Sequence, residues 1–287
     1  MAPIIKEGTD MQVKLTTLSE NTANFGCIAE WGLSILVEAD NLRILMDTGL
    51  SFSAVHNAQK LGVDLSNIDR IVLSHGHIDH TGGLSEVLSH TGGVEVIGHP
   101  GIWEEKYSQR TADTISEIGM PLPKDAFESI GARFTLSKEP VRISEHIMTS
   151  GEIPMITEYE QVETNLLVKK GGELVHDPVA DDLSLFIDTD YGLVIITGCA
   201  HRGIINIIHR AQQLTGRQQV YAVVGGIHLH RASEVRIEQT IADLKETGIQ
   251  KLGVSHCTGF YASCRLYQEF SDIFFLNNAG TSITFPA

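Results

Sequence analysis

Short apolar runs alternate along the chain with amphipathic stretches and Gly- or Asp-rich breaks, which is the pattern of alternating strands and helices. Residues 13–18 alternate like an edge strand, and 21–32 read as a loop of small and polar residues with Trp31 near its end. The runs 33–37 and 43–46 predict a hairpin across Asp40-Asn41. A helix is expected from Ser51, as N-cap, to Gly62, which suits a left-handed C-terminal position. Residues 71–73 predict a buried strand, 84–90 a helix and 94–97 a strand stopping at His99-Pro100. Between about 101 and 161 the period loosens around Met120-Pro121-Leu122-Pro123 and Gly151-Glu152-Ile153-Pro154, so this stretch is expected to be an insertion or lid. A last unit predicts a helix at 234–247, a strand at 251–255, a helix at 260–270 and strand-like residues at 274–285.

The pattern also repeats. LSILVEADNLRILMDTG (33–49) and LSLFIDTDYGLVIITGC (183–199) share a strand, an acidic turn, a second strand and a small polar exit. A predicted helix follows each, and then a strand ending in histidine, IVLSHGH (71–77) and AVVGGIH (222–228). The expectation is one domain over 1–287 with a diverged internal repeat, its halves about 150 residues apart.

A chain of 287 residues with 42% hydrophobic content can bury a substantial core. A formal charge of −15 argues against nucleic acid or an anionic membrane as the main partner, because their phosphates would be repelled. No apolar run approaches the roughly 18 residues of a membrane span, and residues 1–14 lack the apolar core of a signal peptide. A cytoplasmic protein is expected. Four scattered cysteines, Cys27, Cys199, Cys257 and Cys264, read as thiols rather than a disulfide framework.

The chemistry gathers at IVLSHGHIDHTGG (71–83). On a strand continuing past Leu73, His75, His77 and Asp79 would point to one face, with His80 on the turn into the next helix. Imidazole nitrogens and a carboxylate on so short a piece of backbone suit a borderline divalent metal. At this chain's histidine content, such a cluster would arise by chance on the order of 10⁻³ times.

His75-x-His77-x-Asp79-His80 after a buried strand, with Asp47-Thr48-Gly49 ending an earlier one, resembles the metallo-β-lactamase superfamily over nearly the whole chain. SHGHIDHTGGL, the Asp181-Asp182 pair, TGCAHRGIIN (197–206), VVGGIHL (223–229) and SHCTG (255–259) resemble its dihydropteroate-synthase-like branch, the 7,8-dihydropterin-6-methyl-4-(β-D-ribofuranosyl)-aminobenzene-5'-phosphate synthase family. The resemblance implies an αββα sandwich with an internal pseudo-two-fold arrangement, and one or two divalent ions where the strand ends of its halves meet. Zinc is expected, with iron or manganese as alternatives. His75 and His77 would hold a first ion, and Asp79 with His80 a second. Cys199 matches a position where members place Asp or Cys; a small buried cysteine is the plainer role. His228 would face the cluster by pseudo-symmetry. The family's third histidine should precede the strand near 183–187, where His176-Asp177-Pro178 and Asp181-Asp182 stand instead. His201, at a helix start, is a replacement ligand or a capping residue, and Asp182 would orient a ligand histidine.

His256 suits three roles: ligand, general acid or substrate contact. His56, His90, His146, His209 and His230 lack a comparable setting. Arg110, Arg202 and Arg231 are the candidate phosphate binders, since no Gly-rich phosphate loop exists. Gly82-Gly83 suits either an anion or tight packing, and Trp103 with Tyr107 either a flat ring or the core. The expected activity is that of a metal-dependent enzyme acting through an activated hydroxide on a phosphorylated or ester-containing small molecule. Condensation of a dihydropterin pyrophosphate with an aminobenzene ribofuranosyl phosphate is the alternative, and a flavin or di-iron redox or binding module the third. Association into a homo-oligomer is left open.

Overall fold

The computed structural model describes residues 11–286. The first half runs through β1 (Val13–Ser19), β2 (Ser34–Ala39), β3 (Leu42–Met46), α1 (Ser53–Leu61), β4 (Arg70–Val72), the single turn α2 (Ile78–Thr81), α3 (Leu84–Thr91) and β5 (Val94–Gly98). Then come β6 (Lys106–Thr111), β7 (Thr114–Glu117), α4 (Lys124–Ser129), β8 (Ala132–Leu136), β9 (Ile147–Thr149), β10 (Leu166–Lys170) and β11 (Glu173–His176). The second half has β12 (Ser184–Thr189), β13 (Gly192–Thr197), α5 (Ile204–Thr215), β14 (Val220–Gly225), α6 (Glu234–Glu246), β15 (Lys251–Val254), α7 (Phe260–Phe270), β16 (Phe274–Leu276) and β17 (Ser282–Phe285).

Two sheets stack face to face, ordered β17-β1-β2-β3-β4-β5-β8 and β16-β15-β14-β13-β12-β9. Strand period sorts the side chains. Ile35, Val37, Ile44 and Met46 of the first sheet meet Leu185, Ile187, Val194 and Ile196 of the second. Their neighbours face outward to helices, Leu36 and Leu45 under α1 and α3, Phe186, Leu193 and Ile195 under α5 and α6. Burial on both faces explains the near-continuous apolar runs. The result is an αββα sandwich, as the resemblance implied.

The repeat is physical. In each half an antiparallel hairpin (β2-β3, β12-β13) is followed by parallel strands reached through helical crossovers (β3-β4-β5, β13-β14-β15). Asp40 and Asn41 turn the first hairpin at φ 52 and 57, the left-handed pair a tight hairpin demands.

Three local expectations need correction. β1 is not an edge strand, because β17 returns from the far end of the chain to pair with it. Ser51 does not cap α1; Phe52 holds that position, and the Glu30 carboxylate accepts from Ser51 N–H and Ser53 N–H. The stretch 101–161 divides: β8 and β9 join the main sheets, whereas β6 and β7 form a separate sheet with β10 and β11. No helix of the described residues is long and apolar enough to cross a membrane. Residues 1–10, which include most of the segment read above for a signal peptide, lie outside the described residues.

Candidate metal centre

The histidine-rich segment leaves its strand earlier than the alternation predicts. β4 ends at Val72, and His77 caps α2, so Asp79 and His80 sit on a helical turn rather than on a strand face. Gly76 makes the turn feasible, since a Cβ there would fall 2.5 Å from the Ile102 carbonyl oxygen. His75 Nε2 and His77 Nδ1 are brought 3.0 Å apart. Two nitrogens on one tetrahedral zinc would be separated by roughly 3.3 Å, from bonds of about 2.0–2.1 Å.

Asp47 sets the tautomers. Its carboxylate accepts from Ser74 N–H and Ser74 O–H, each at 2.7 Å, and meets His80 Nδ1 at 2.7 Å. Since the Ser74 proton is directed to Asp47, its oxygen accepts from His75 Nδ1–H at 2.8 Å. His75 is thereby fixed with Nε2 bare, and His80, in the neutral form that an ion would require, likewise keeps its proton on Nδ1 and offers Nε2, the arrangement that metal-binding histidines use. The Nε2 of His80 lies 3.0 Å from Cys199 Sγ.

The second half supplies its donors one by one, each just past a parallel strand. Cys199 and His201 follow β13, His228 follows β14 and His256 follows β15. Donor atoms lie within 4.8 Å of one another in four groups: His75, Cys199 and His201; His80, Cys199 and His256; Cys199, His228 and Cys257; Glu163, His201 and His228. His201 therefore stands beside His75 and His77, ring centroids 4.8 and 4.9 Å away, where a third histidine was missing. His228 faces the cluster, its ring 4.0 Å from that of His201 and its donor grouped with Cys199, while His256 is the residue grouped with His80. The other side of His228 meets Glu163, with Nδ1 2.7 Å from Oε1.

These residues fit an ion. His77 Nε2 and both His201 nitrogens are buried without hydrogen-bond partners among the described residues. His256 Nε2 stands 3.2 Å from Asp79 Oδ2 without hydrogen-bond alignment. Unpaired polar atoms in the interior carry a cost, and a bound cation would relieve it at the one nitrogen of a ring that it takes, as at His201. Burial, reinforced by His80, holds His75 far below the usual histidine range, and burial takes His77 down to about 3. His201 is lowered by burial and then by His228. Three imidazoles are thus kept neutral. Burial also pulls on His80, but Asp47 and Asp79 outweigh it and raise the ring to about 9. Burial opposes the ionised form of Asp79, yet His80 and His256 hold its carboxyl well below the carboxylate range. The Cys199 thiol is pushed up by burial and by Cys257.

Strain concentrates here too. Of the seven described non-glycine residues at positive φ, Asp47, Ala200, His228 and His256 belong to this centre. Gly198 lets the two halves touch, because a Cβ there would fall 2.1 Å from Ser74 Oγ.

The predicted phosphate binders separate. Arg110 is exposed on β6. The Arg202 guanidinium donates to the carbonyls of Ile153 and Pro178. Arg231 lines a cavity of about 420 Å³ with Arg236, Ser233 and Glu163. Trp103 packs against Phe127 and Phe134, and Tyr107 bonds Glu105, so neither presents a free ring to the centre. Asp182 accepts from Arg202 N–H rather than from a ligand histidine. Sequence reasoning passed over Glu163, Cys257, His230 and Lys106. Cys257 adjoins His256 and was signalled by that neighbour alone; His230 sits two residues past His228, its ring 5.5 Å away. Lys106, fully buried, bonds Asp177 and Asp181, and Asp181 accepts from Gly76 N–H between His75 and His77.

Fold and site together define a metallo-beta-lactamase-type enzyme. The chain belongs to the metallo-beta-lactamase superfamily, whose family model matches residues 32–215. It is 34% identical over 284 residues to the 7,8-dihydropterin-6-methyl-4-(beta-D-ribofuranosyl)-aminobenzene-5'-phosphate synthase of Methanocaldococcus jannaschii, covering 95% of this chain and 97% of that one. Among solved structures it is similar to a metal-dependent hydrolase of the beta-lactamase superfamily, with a TM-score of 0.82 at 28% identity over 94% and 98% of the two chains. Zn(2+)-bound PqqB from Methylobacterium extorquens shares the fold, with a TM-score of 0.55 at 12% identity over 94% and 99%.

Proposed function

We propose that this enzyme joins a dihydropterin bearing a 6-methylene diphosphate to an aminobenzene ribofuranosyl phosphate, using one or two divalent ions, zinc or iron. The observation that carries this reading is the near full-length similarity to an enzyme named for that product. On this reading His75 and His201, with His77 beside them, would hold one ion, and His80 and His256, with Asp79 beside them, a second, while Cys199 is grouped with both pairs. Cys199, once deprotonated by an ion it held, would favour a soft metal over magnesium. When bound, the ions would supply Lewis-acid charge to the diphosphate as it leaves.

The chain's own residues would do the rest. The arylamine nitrogen forms a bond to the pterin methylene carbon as the carbon–oxygen bond to diphosphate breaks, and diphosphate leaves with the electron pair. The nitrogen must then lose a proton. His228 is suited to take it at Nε2, because Glu163 at Nδ1 fixes the tautomer and steadies the charged ring. Arg231 and Arg236 line the cavity that also exposes Glu163, and would hold the phosphate of the amine substrate beside that base.

The test supplies the diphosphate with and without the amine to metal-loaded protein, and follows product and diphosphate together. Equal yields that depend on the amine are expected. Diphosphate release at the same rate without the amine would replace this reading with the hydrolytic one, which the likeness to a metal-dependent hydrolase favours.

A further inference from the structure

Trp31 is half exposed, at 51%, yet rigidly held. Its indole N–H donates to Asp79 Oδ2 at 3.0 Å, and its ring meets His256 edge-on at 5.1 Å and His230 at 6.4 Å between centroids. The backbone beside it is pinned as well. Gly32 N–H reaches Asn21 Oδ1, and Leu33 N–H reaches the Asp79 carbonyl. At Gly32 a Cβ would fall 2.5 Å from that same carbonyl oxygen, so the loop lies directly on α2. Asn21 in turn holds His256 at Nδ1, 2.8 Å away. The ring is therefore an ordered flat surface against the proposed ligands, and about half of the side chain remains open to solvent. Phe260, 87% exposed, follows Gly259, whose Cα packs on His230, so a second bare ring begins one residue from that contact.

A large aromatic side chain fixed at its polar tip and left open on its face is complementary to another flat ring in offset stacking. We propose that Trp31 is the stacking platform for the pterin ring, a claim that rests on the synthase reading. The fused bicyclic dihydropterin offers the indole a larger flat face than the single ring of an arylamine does. The arylamine substrate carries the phosphate and belongs with Arg231 and Arg236, on the Glu163 side of the centre. Trp31, His230 and His228 run in sequence between the two places, their rings 6.4 and 5.5 Å apart. The methylene carbon would then lie between platform and base.

The experiment titrates metal-loaded wild type, Trp31→Phe and Trp31→Ala calorimetrically with 6-hydroxymethyl-7,8-dihydropterin, and separately with inorganic diphosphate, with metal content measured throughout. Trp31→Ala should bind the dihydropterin about 10-fold more weakly and Trp31→Phe within about 3-fold of wild type, since phenylalanine keeps a stacking face. Diphosphate affinity and metal content should not change. In a Trp103→Phe background, which leaves Trp31 as the sole tryptophan, the dihydropterin should quench emission and diphosphate should not. A wild type that takes up no dihydropterin overturns the synthase reading and the platform with it. Full dihydropterin affinity in Trp31→Ala overturns the platform alone. Equal loss of both probes also overturns it, because Trp31 would then act only by positioning Asp79.

Discussion

Lys106→Met isolates the ion network beneath the histidine loop. Lys106 has no exposure and bonds Asp177 and Asp181 at 2.8 Å each. Asp181 also accepts from Gly76 N–H at 2.8 Å, and Asp177 from Val179 N–H at 2.8 Å. Removing the cation strands two carboxylates in the interior, which costs about 3–5 kcal/mol when one partner of a buried pair is lost. An unfolding entropy of about 2.1 cal/mol/K per residue over 287 residues is about 0.6 kcal/mol/K, so Tm should fall by about 5–8 °C. Burial pulls the Lys106 ammonium down, but Asp181 and Asp177 outweigh it and leave its pKa raised. A base with a raised folded value gives stability that is fully present below its unfolded value, and that is lost only as pH rises through the folded one. The deficit should therefore be level between pH 7 and 9. Calorimetric unfolding of metal-free protein reads it directly. Adding Asp177→Asn and Asp181→Asn to Lys106→Met should restore most of the loss, since no charge is then stranded. A Tm within about 2 °C of wild type for the single variant would refute the reasoning.

His75→Ala and His80→Ala should each lower bound metal as measured by elemental analysis, because each removes an inward-facing nitrogen whose neighbours already serve the same donor groups; full stoichiometry in both would sink the ligand assignment. Burial raises Glu160 to about 7, although its carboxylate accepts from Ile205 N–H and Asn206 N–H at the start of α5. An acid with a raised folded value takes up a proton on folding, so it lowers stability as pH climbs from about 4.5 to 7, by on the order of 3 kcal/mol. Because burial also raises Asp182 to about 7, Glu160→Gln should lessen, not abolish, the fall of urea-derived stability across that window, and an unchanged slope would count against burial of Glu160 as a cause.

What the sequence disclosed depended on whether the signal was local. The hairpin at Asp40-Asn41 and α7 follow from adjacent residues, and both stand as expected. The pairing of β17 on β1 could not be read, because the partners lie at opposite ends of the chain. Lys106 reads as a solvated charge until residues 71 and 75 positions later enclose it. Glu163 is one acidic residue in a polar loop, and only the fold brings it against His201 and His228.

The centre itself shows the same division, and the repeat explains why. The first half packs His75, His77, Asp79 and His80 around one strand exit, a density that composition makes improbable and a reader notices. The second half distributes Cys199, His201, His228 and His256 over three successive crossovers, one exit at a time. Each alone is an ordinary residue after an apolar run; parallel register makes them neighbours, because β13, β14 and β15 end at one edge. Their aim also depends on backbone that the sequence does not announce. Asp47, Ala200, His228 and His256 hold positive φ, where glycine or asparagine would ordinarily mark the turn. A histidine in that conformation is strained by a kcal/mol or so, and the surrounding sandwich must over-determine it. Pseudo-symmetry alone therefore does not settle which ring meets which carboxylate. It predicts which strand ends converge, whereas the left-handed turns at His228 and His256 decide which ring points to Glu163 and which to Asp79.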